Sequence, residues 1–196
     1  MNQFYTESTP DPTPPPKSNI RHFLRDMLET IFLSIILFLI INALSARIRV
    51  ESISMQPTLF EGNFVLVNRL AYQIGEPQRG DVIIFRFPLN PDREPYIKRV
   101  IGLPGDTVRI EDGSVTINDV QQHETYIKAD PAYSGEWIVP AGNLFVLGDN
   151  RNNSSDSHSW GFVPLGNVVG KALVVYWPPE NWQMLHPNTA LAASEP

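Results

Sequence analysis

A strongly apolar run of fourteen residues, Ile31–Leu44, constrains this chain more than any other feature in it. As a helix the run spans only about 21 Å, whereas a bilayer core needs about 30 Å. Extending it from Met27 to Ala46 reaches that length and takes in Glu29, Thr30, Ser34, Asn42 and Ser45. A single soluble domain seldom devotes a helix to I-I-L-F-L-I-I with no polar face, so a buried core helix is the weaker reading. A cleaved secretory signal is the stronger rival, because Ala43-Leu44-Ser45 offers a small-x-small site after the apolar stretch. The leader before it is, however, longer than a usual n-region. The expectation is an anchor helix over residues 25–46. Lys17, Arg21 and Arg25 precede it and Arg47 and Arg49 follow, a three-to-two margin for a cytoplasmic N-terminus. Residues 1–24 begin MNQFYTESTPDPTPPPK, and five prolines among Ser, Thr and Asp predict a disordered tail.

After Ala46 the pattern changes to period two and to β-branched residues. Strands are expected at 47–52, 64–67, 81–87, 96–101, 107–111, 114–117, 136–139, 144–147 and 168–177. Asp112-Gly113 sits between two of them, and both central residues of a type I′ turn need positive φ, so a hairpin is predicted there. No amphipathic helix interrupts the series. The expected architecture is a mainly β domain over 47–180, with 107–147 as a small accessory segment, behind one membrane helix. Residues 181–196 are polar and rich in Pro and Ala, and are expected to form a flexible tail.

Charge and composition exclude several functions. With 15 basic and 21 acidic residues the chain carries −6, and no Lys/Arg cluster offers a phosphate-binding patch, so no nucleic-acid partner is expected. Cysteine is absent, which removes thiol nucleophiles, disulfides and Cys-based metal sites. The histidines at 22, 123, 158 and 186 form no close-spaced pair, so neither a metal nor a cofactor is expected.

Three segments could carry chemistry. In Ser54-Met55-Gln56-Pro57-Thr58-Leu59 a strand gives way to a turn. Alternation would put Ile48, Val50, Ser52 and Ser54 on one face, with two hydroxyls ending an apolar stripe. Taken alone, this motif is most simply a turn. In Tyr96-Ile97-Lys98-Arg99-Val100-Ile101-Gly102, two adjacent cations must take opposite faces, where one is free to be solvated and the other must lie beside apolar neighbours. Periodicity leaves open which is buried. Arginine stays protonated, so only a desolvated Lys98 could act as a base toward a serine hydroxyl. Finally, Gly148–Gly161 is a dense run of small hydrogen-bonding residues ending in Trp160-Gly161, more like a packed functional loop than a linker.

Together with Arg79-Gly80-Asp81-Val82-Ile83-Ile84-Phe85 and the continuation Leu103-Pro104-Gly105-Asp106, these segments resemble type I signal peptidase, the membrane-bound serine protease family with a Ser–Lys dyad. The similarity covers roughly residues 27–178, in the family's order. It implies an antiparallel β-sheet catalytic domain of the signal peptidase type, acting on preprotein signal peptides at a lipid bilayer. It makes Ser54 the nucleophile and Lys98 the general base, Ser52 a partner of the Ser54 N–H in the oxyanion hole, and Ser154 the hydroxyl orienting the amine. Val50, Met55, Leu59, Tyr96 and Ile97 would line shallow pockets for an Ala-x-Ala-like motif. Asp149, Arg151 and Asp156 would brace the loop, with both carboxylates expected to pair with Arg151. The catalytic domain would lie on the exoplasmic side, periplasmic or lumenal. Eight residues separate Ala46 from Ser54, at most about 26 Å of extended chain, so the serine would lie near the bilayer surface.

The sequence departs from the family at Glu51 (often Pro), Ile53 (commonly Gly), Asn63 (usually Asp) and His158 (often Arg). Two rivals remain: a Ser54–His158–Asp156 triad, and a membrane-tethered β-domain that binds peptides or partners without catalysis.

Overall fold

The computed structural model describes residues 20–186, so most of the proline-rich 1–24 tail lies outside the described residues. The chain divides into two units at Ile40/Ile41. The first is occupied by α1, Ile20–Leu44, a single helix whose last turn crosses into the second unit. At 25 residues it is about 37 Å long, and it has the length and composition to cross a membrane. None of its side chains is buried. Its hydroxyls do not go unsatisfied. Thr30 donates to the Asp26 carbonyl, Ser34 to that of Thr30 and Ser45 to that of Ile41, each four residues back. The helix begins five residues before the expected boundary, and Ser45 and Ala46 belong instead to the first strand.

The second unit is built on two antiparallel sheets. The larger contains β1 (Ser45–Arg49), β2 (Phe64–Asn68), β3 (Val82–Phe85), β4 (Tyr96–Gly102), β9 (Asn143–Leu147), β10 (Val163–Pro164), β11 (Val168–Trp177) and β12 (Gln183–Met184). Its order is β1-β2-β11-β3-β4-β9-β10, with β12 also on β11. The smaller, from the accessory segment, contains β5 (Thr107–Glu111), β6 (Ser114–Ile117), β7 (Val120–Gln121) and β8 (Gly135–Ile138) in the order β7-β6-β5-β8. Asp112 and Gly113 both adopt positive φ, 49° and 76°, as the predicted hairpin requires.

Period two places the cores. β3 is buried on both faces, so Val82 and Ile84 enter one core with Val65, Val67 and Ala172. Ile83 and Phe85 enter another with Val100, Leu144 and Val146. A third core, around Val108, Ile110 and Phe145, joins the accessory sheet to β4 and β9.

The structure departs from expectation in three places. The two-residue strands β7, β10 and β12 are too short to show a period. So are the one-turn helices α2 (Ala71–Ile74) and α3 (Ser157–Trp160). Next, the segment from 181 is not loose throughout: β12 pairs Val174↔Met184 and Val175↔Gln183, and Leu185 is buried. Finally, the first strand is two residues displaced and stops at Arg49, where its ladder with β2 ends at Arg49↔Phe64.

Candidate active site

Ser54 therefore lies in a turn and not on a strand. The chain leaves β1, is held once more by Val50 N–H on the Asn63 carbonyl at 2.8 Å, and folds back through Gln56 N–H to Ile53 O and Leu59 N–H to Met55 O. Asn63, where the family usually has Asp, still caps this turn, its Oδ1 accepting the Phe60 N–H at 2.9 Å. Strand alternation is thus not what unites Ser52 and Ser54. The turn itself brings their Oγ atoms to 3.2 Å.

Across from the turn, β4 delivers Lys98 and Arg99 to opposite sides of the sheet. Both are buried, 4% and 3% exposed, so neither cation takes the solvated face that alternation left open to one of them. The sheet has protein on both sides here, and the two cations are accommodated in different ways. Arg99 is neutralised: Nε and Nη2 bond Asp149 Oδ1 and Oδ2 at 2.8 and 2.7 Å, and Nη1 donates to the Gly80 carbonyl at 2.9 Å. The Tyr126 ring covers its guanidinium at 4.0 Å. Burial works against this charge, but Asp149 outweighs it and holds the guanidinium above its ordinary value.

Among the described residues, Lys98 forms no ion pair with a carboxylate. Its Nζ donates to Ser54 Oγ at 2.7 Å. Burial pushes the amine down to about 8, against the smaller opposing pull of the Asp156 and Asp149 carboxylates. A neutral amine hydrogen-bonded to a serine hydroxyl can remove its proton as the oxygen attacks a carbonyl.

The loop from Gly148 holds this pair in register. Asn150 donates its backbone N–H to the Ser54 carbonyl at 3.0 Å and its Nδ2 to the Ile53 carbonyl at 3.1 Å. Thr58 donates its hydroxyl to Asp149, tying the serine turn to the Asp149–Arg99 pair. Gly148 is required by close approach. A Cβ there would lie 2.3 Å from Ser154 Oγ and 2.4 Å from the Ser54 carbonyl oxygen.

The brace among Asp149, Arg151 and Asp156 is not wired as expected. Asp149 is taken by Arg99. Arg151 pairs with Glu124 of the accessory segment, Nη2 to Oε1 at 2.7 Å and Nη1 to Oε2, and donates Nε to the Gly148 carbonyl at 3.2 Å. Asp156 caps α3, accepts the Gly148 N–H at 2.9 Å, and pairs with His158 Nδ1. Asp149 and Arg151 thus find partners on distant elements, 50 and 27 residues away, which no local spacing announces, whereas Asp156 pairs with His158 two residues on. Arg99, Glu124, Thr58 and Tyr126 were not read as site residues. Only Arg99 left a trace, as a cation inside an apolar strand.

Ser154 is half-buried, and its Oγ is shielded from solvent yet has no hydrogen-bond partner among the described residues, so the expected bond to Lys98 is not made. A cleft of about 700 Å³ opens beside Ser54 and Lys98, lined by Ser52, Val50, Met55, Tyr96 and Ile97, with Arg47, Arg49, Glu51 and Glu94 also on its walls. Leu59 does not line it. The residue is fully buried in the core that also holds Val50 and Met55. The triad alternative lacks its geometry: Ser54 Oγ is bonded to Lys98 and Ser52, while His158 is engaged with Asp156 and Tyr133.

A family model described as signal peptidase, peptidase S26, matches residues 24–177. The chain is 45% identical over 163 residues to signal peptidase I of Leptolyngbya laminosa, across 79% of this chain and 80% of that protein. It is 41% identical over 160 residues to probable signal peptidase I-2 of Synechocystis sp., across 76% and 72%. It is also 37% identical over 179 residues to probable signal peptidase I-1 of the same organism, across 87% and 91%.

Proposed function

The chain belongs to the signal peptidase family, peptidase S26, and from that premise we propose that Ser54 and Lys98 are its catalytic dyad. The activity is that of a membrane-anchored serine peptidase that removes signal peptides from preproteins. One observation carries the assignment of residues: a buried amine, with no carboxylate in hydrogen-bond contact, donates to Ser54 Oγ at 2.7 Å on the wall of the cleft.

Neutral Lys98 takes the Ser54 proton as Oγ attacks the scissile carbonyl. The ammonium then returns the proton to the leaving nitrogen, and the amine activates the water that hydrolyses the acyl-enzyme. The Ser52 hydroxyl and the Ser54 N–H receive the developing oxyanion, each such donor being worth about 3–4 kcal/mol. The proximity of Ser52 to Ser54 Oγ, 3.2 Å, supports this role. Once Ser54 is esterified its oxygen is a weaker acceptor for Lys98. Ser154, whose shielded Oγ lacks a partner and lies with the Ser54 carbonyl oxygen against Gly148, is the hydroxyl that then orients the amine.

A peptide lies extended in the cleft, its small residues facing Val50, Met55, Tyr96 and Ile97. This supports an Ala-x-Ala-like preference. The basic residues on either side of the apolar run, Lys17, Arg21 and Arg25 before it and Arg47 and Arg49 after it, favour a cytoplasmic N-terminus and a catalytic domain on the exoplasmic side. The test is to incubate full-length protein in detergent with a preprotein and sequence the mature N-terminus. Wild type should release it after a small-x-small motif and Ser54→Ala should not. Cleavage by Ser54→Ala at the wild-type rate refutes the assignment.

A further inference from the structure

Asp156 is fully buried, and its two oxygens face different groups. Oδ2 accepts the Gly148 N–H at 2.9 Å, and Gly148 lies directly against the Ser54 carbonyl oxygen and the Ser154 hydroxyl. Oδ1 accepts the backbone N–H of His158 at 3.3 Å and meets its ring at Nδ1. The His158 ring lies flat on Tyr133, 3.9 Å between centroids and 13° between planes, and its side chain is 21% exposed.

We propose, on the reading of Ser54 and Lys98 as the dyad, that His158 is a positioning residue for that dyad. Its ring fixes the Asp156 carboxylate against Gly148. When protonated, it also offsets part of the negative charge that Asp156 presents to the Lys98 amine.

The charges around this corner leave His158 as the variable one. From the accessory segment it faces the Tyr133 phenol, which burial and Asp156 hold above the usual phenol range, so the ring stays neutral. Behind Tyr133, Arg151 and Glu124 form a buried pair that is neutral overall. On the far side stand Lys98 itself and Asp149, and Asp149 is matched by Arg99. Asp156, whose pull on Lys98 is the larger of the two carboxylates', has only His158 as its ion-pair partner among the described residues. The sign follows. A neutral His158 leaves the full carboxylate charge acting on the amine, which then holds its proton to higher pH. A charged His158 weakens that hold, so the amine is free at lower pH.

The test uses full-length protein in detergent micelles and the pH dependence of kcat/KM for preprotein cleavage. His158→Arg fixes a cation, and His158→Asn keeps a neutral N–H donor near the Nδ1 position. The quantity read is the midpoint of the acid limb, which is independent of the plateau. The midpoint should lie lower for Arg than for Asn, corresponding to roughly a three- to tenfold rate ratio at pH 7, with wild type between them. Coincident midpoints overturn the proposal. Where either variant fails to fold, the wild type alone decides. With labelled lysine, the Lys98 resonance, assigned by its loss in Lys98→Arg, should show a second, smaller inflection matching the titration of the His158 ring. A single inflection overturns the proposal. Absence of any cleavage by wild type would instead remove the dyad reading, which keeps the two failures apart.

Discussion

Replacing Lys98 by methionine should make the protein more stable while abolishing its activity. The Lys98 amine is lowered to about 8 in the folded chain from an ordinary 10.5. Between those values the unfolded chain binds a proton that the folded one does not, so wild-type stability rises with pH through that window. Below pH 8 the full penalty applies: about 2.5 pH units at about 1.4 kcal/mol each, or about 3 kcal/mol. Methionine removes the penalty and fills most of the same space. It also takes a hydrogen bond from Ser54 Oγ, which keeps Ser52 at 3.2 Å, and that loss costs about 1 kcal/mol. The net gain at pH 7 is about 2 kcal/mol, roughly 4–8 °C in Tm for a domain of this size. Near pH 10.5 the gain should vanish or turn into a small loss. Thermal melts of wild type and Lys98→Met in the same detergent at pH 7 and pH 10.5 measure both numbers. A variant no more stable at pH 7, or equally stabilised at both pH values, would show that the amine is not held in a desolvated site.

Lys98→Arg should be as inactive as Lys98→Ala in preprotein cleavage, since a guanidinium keeps its proton; measurable turnover by the arginine variant would exclude a neutral-amine base. The wild-type rate should rise about tenfold per pH unit up to about pH 8 and then level, following deprotonation of the amine. Glu124→Ala strands the fully buried Arg151 guanidinium and should cost about 3–5 kcal/mol, read as a fall in Tm that Glu124→Asp partly recovers. Gly148→Ala forces a methyl group onto the Ser54 carbonyl and the Ser154 hydroxyl. It should lower kcat/KM by two orders of magnitude or more, and an unimpaired alanine variant would show that the loop does not set the serine's position.

Amino-acid order alone is enough to reveal the elements that carry a repeating pattern. The helix announces itself because fourteen residues of I-F-L-S-I-I-L-F-L-I-I-N-A-L have no polar face. The strands do so because side chains alternate along them, and the Asp112-Gly113 turn because few residues tolerate positive φ. For Lys98 the pattern showed only that a cation stands within an apolar strand beside Arg99, and residue type showed that of the two only the lysine can lose its proton. By contrast, residues 50–54 looked like a continuing strand, and only the ladder with β2 shows that pairing stops at Arg49.

Three decisions belong to tertiary structure. Which cation is buried had two admissible answers from periodicity, and the fold buries both, because each face of β4 meets other protein. The partners of Asp149, Arg151 and Asp156 come from β4, the accessory segment and α3. Their separations in sequence, 50, 27 and 2 residues, follow no common rule. The depressed affinity of the Lys98 amine for its proton has the same origin. Residue type supplies an amine that can lose a proton, but the exclusion of water that makes it do so near pH 8 arises only when the serine turn, the loop and the sheet close around it.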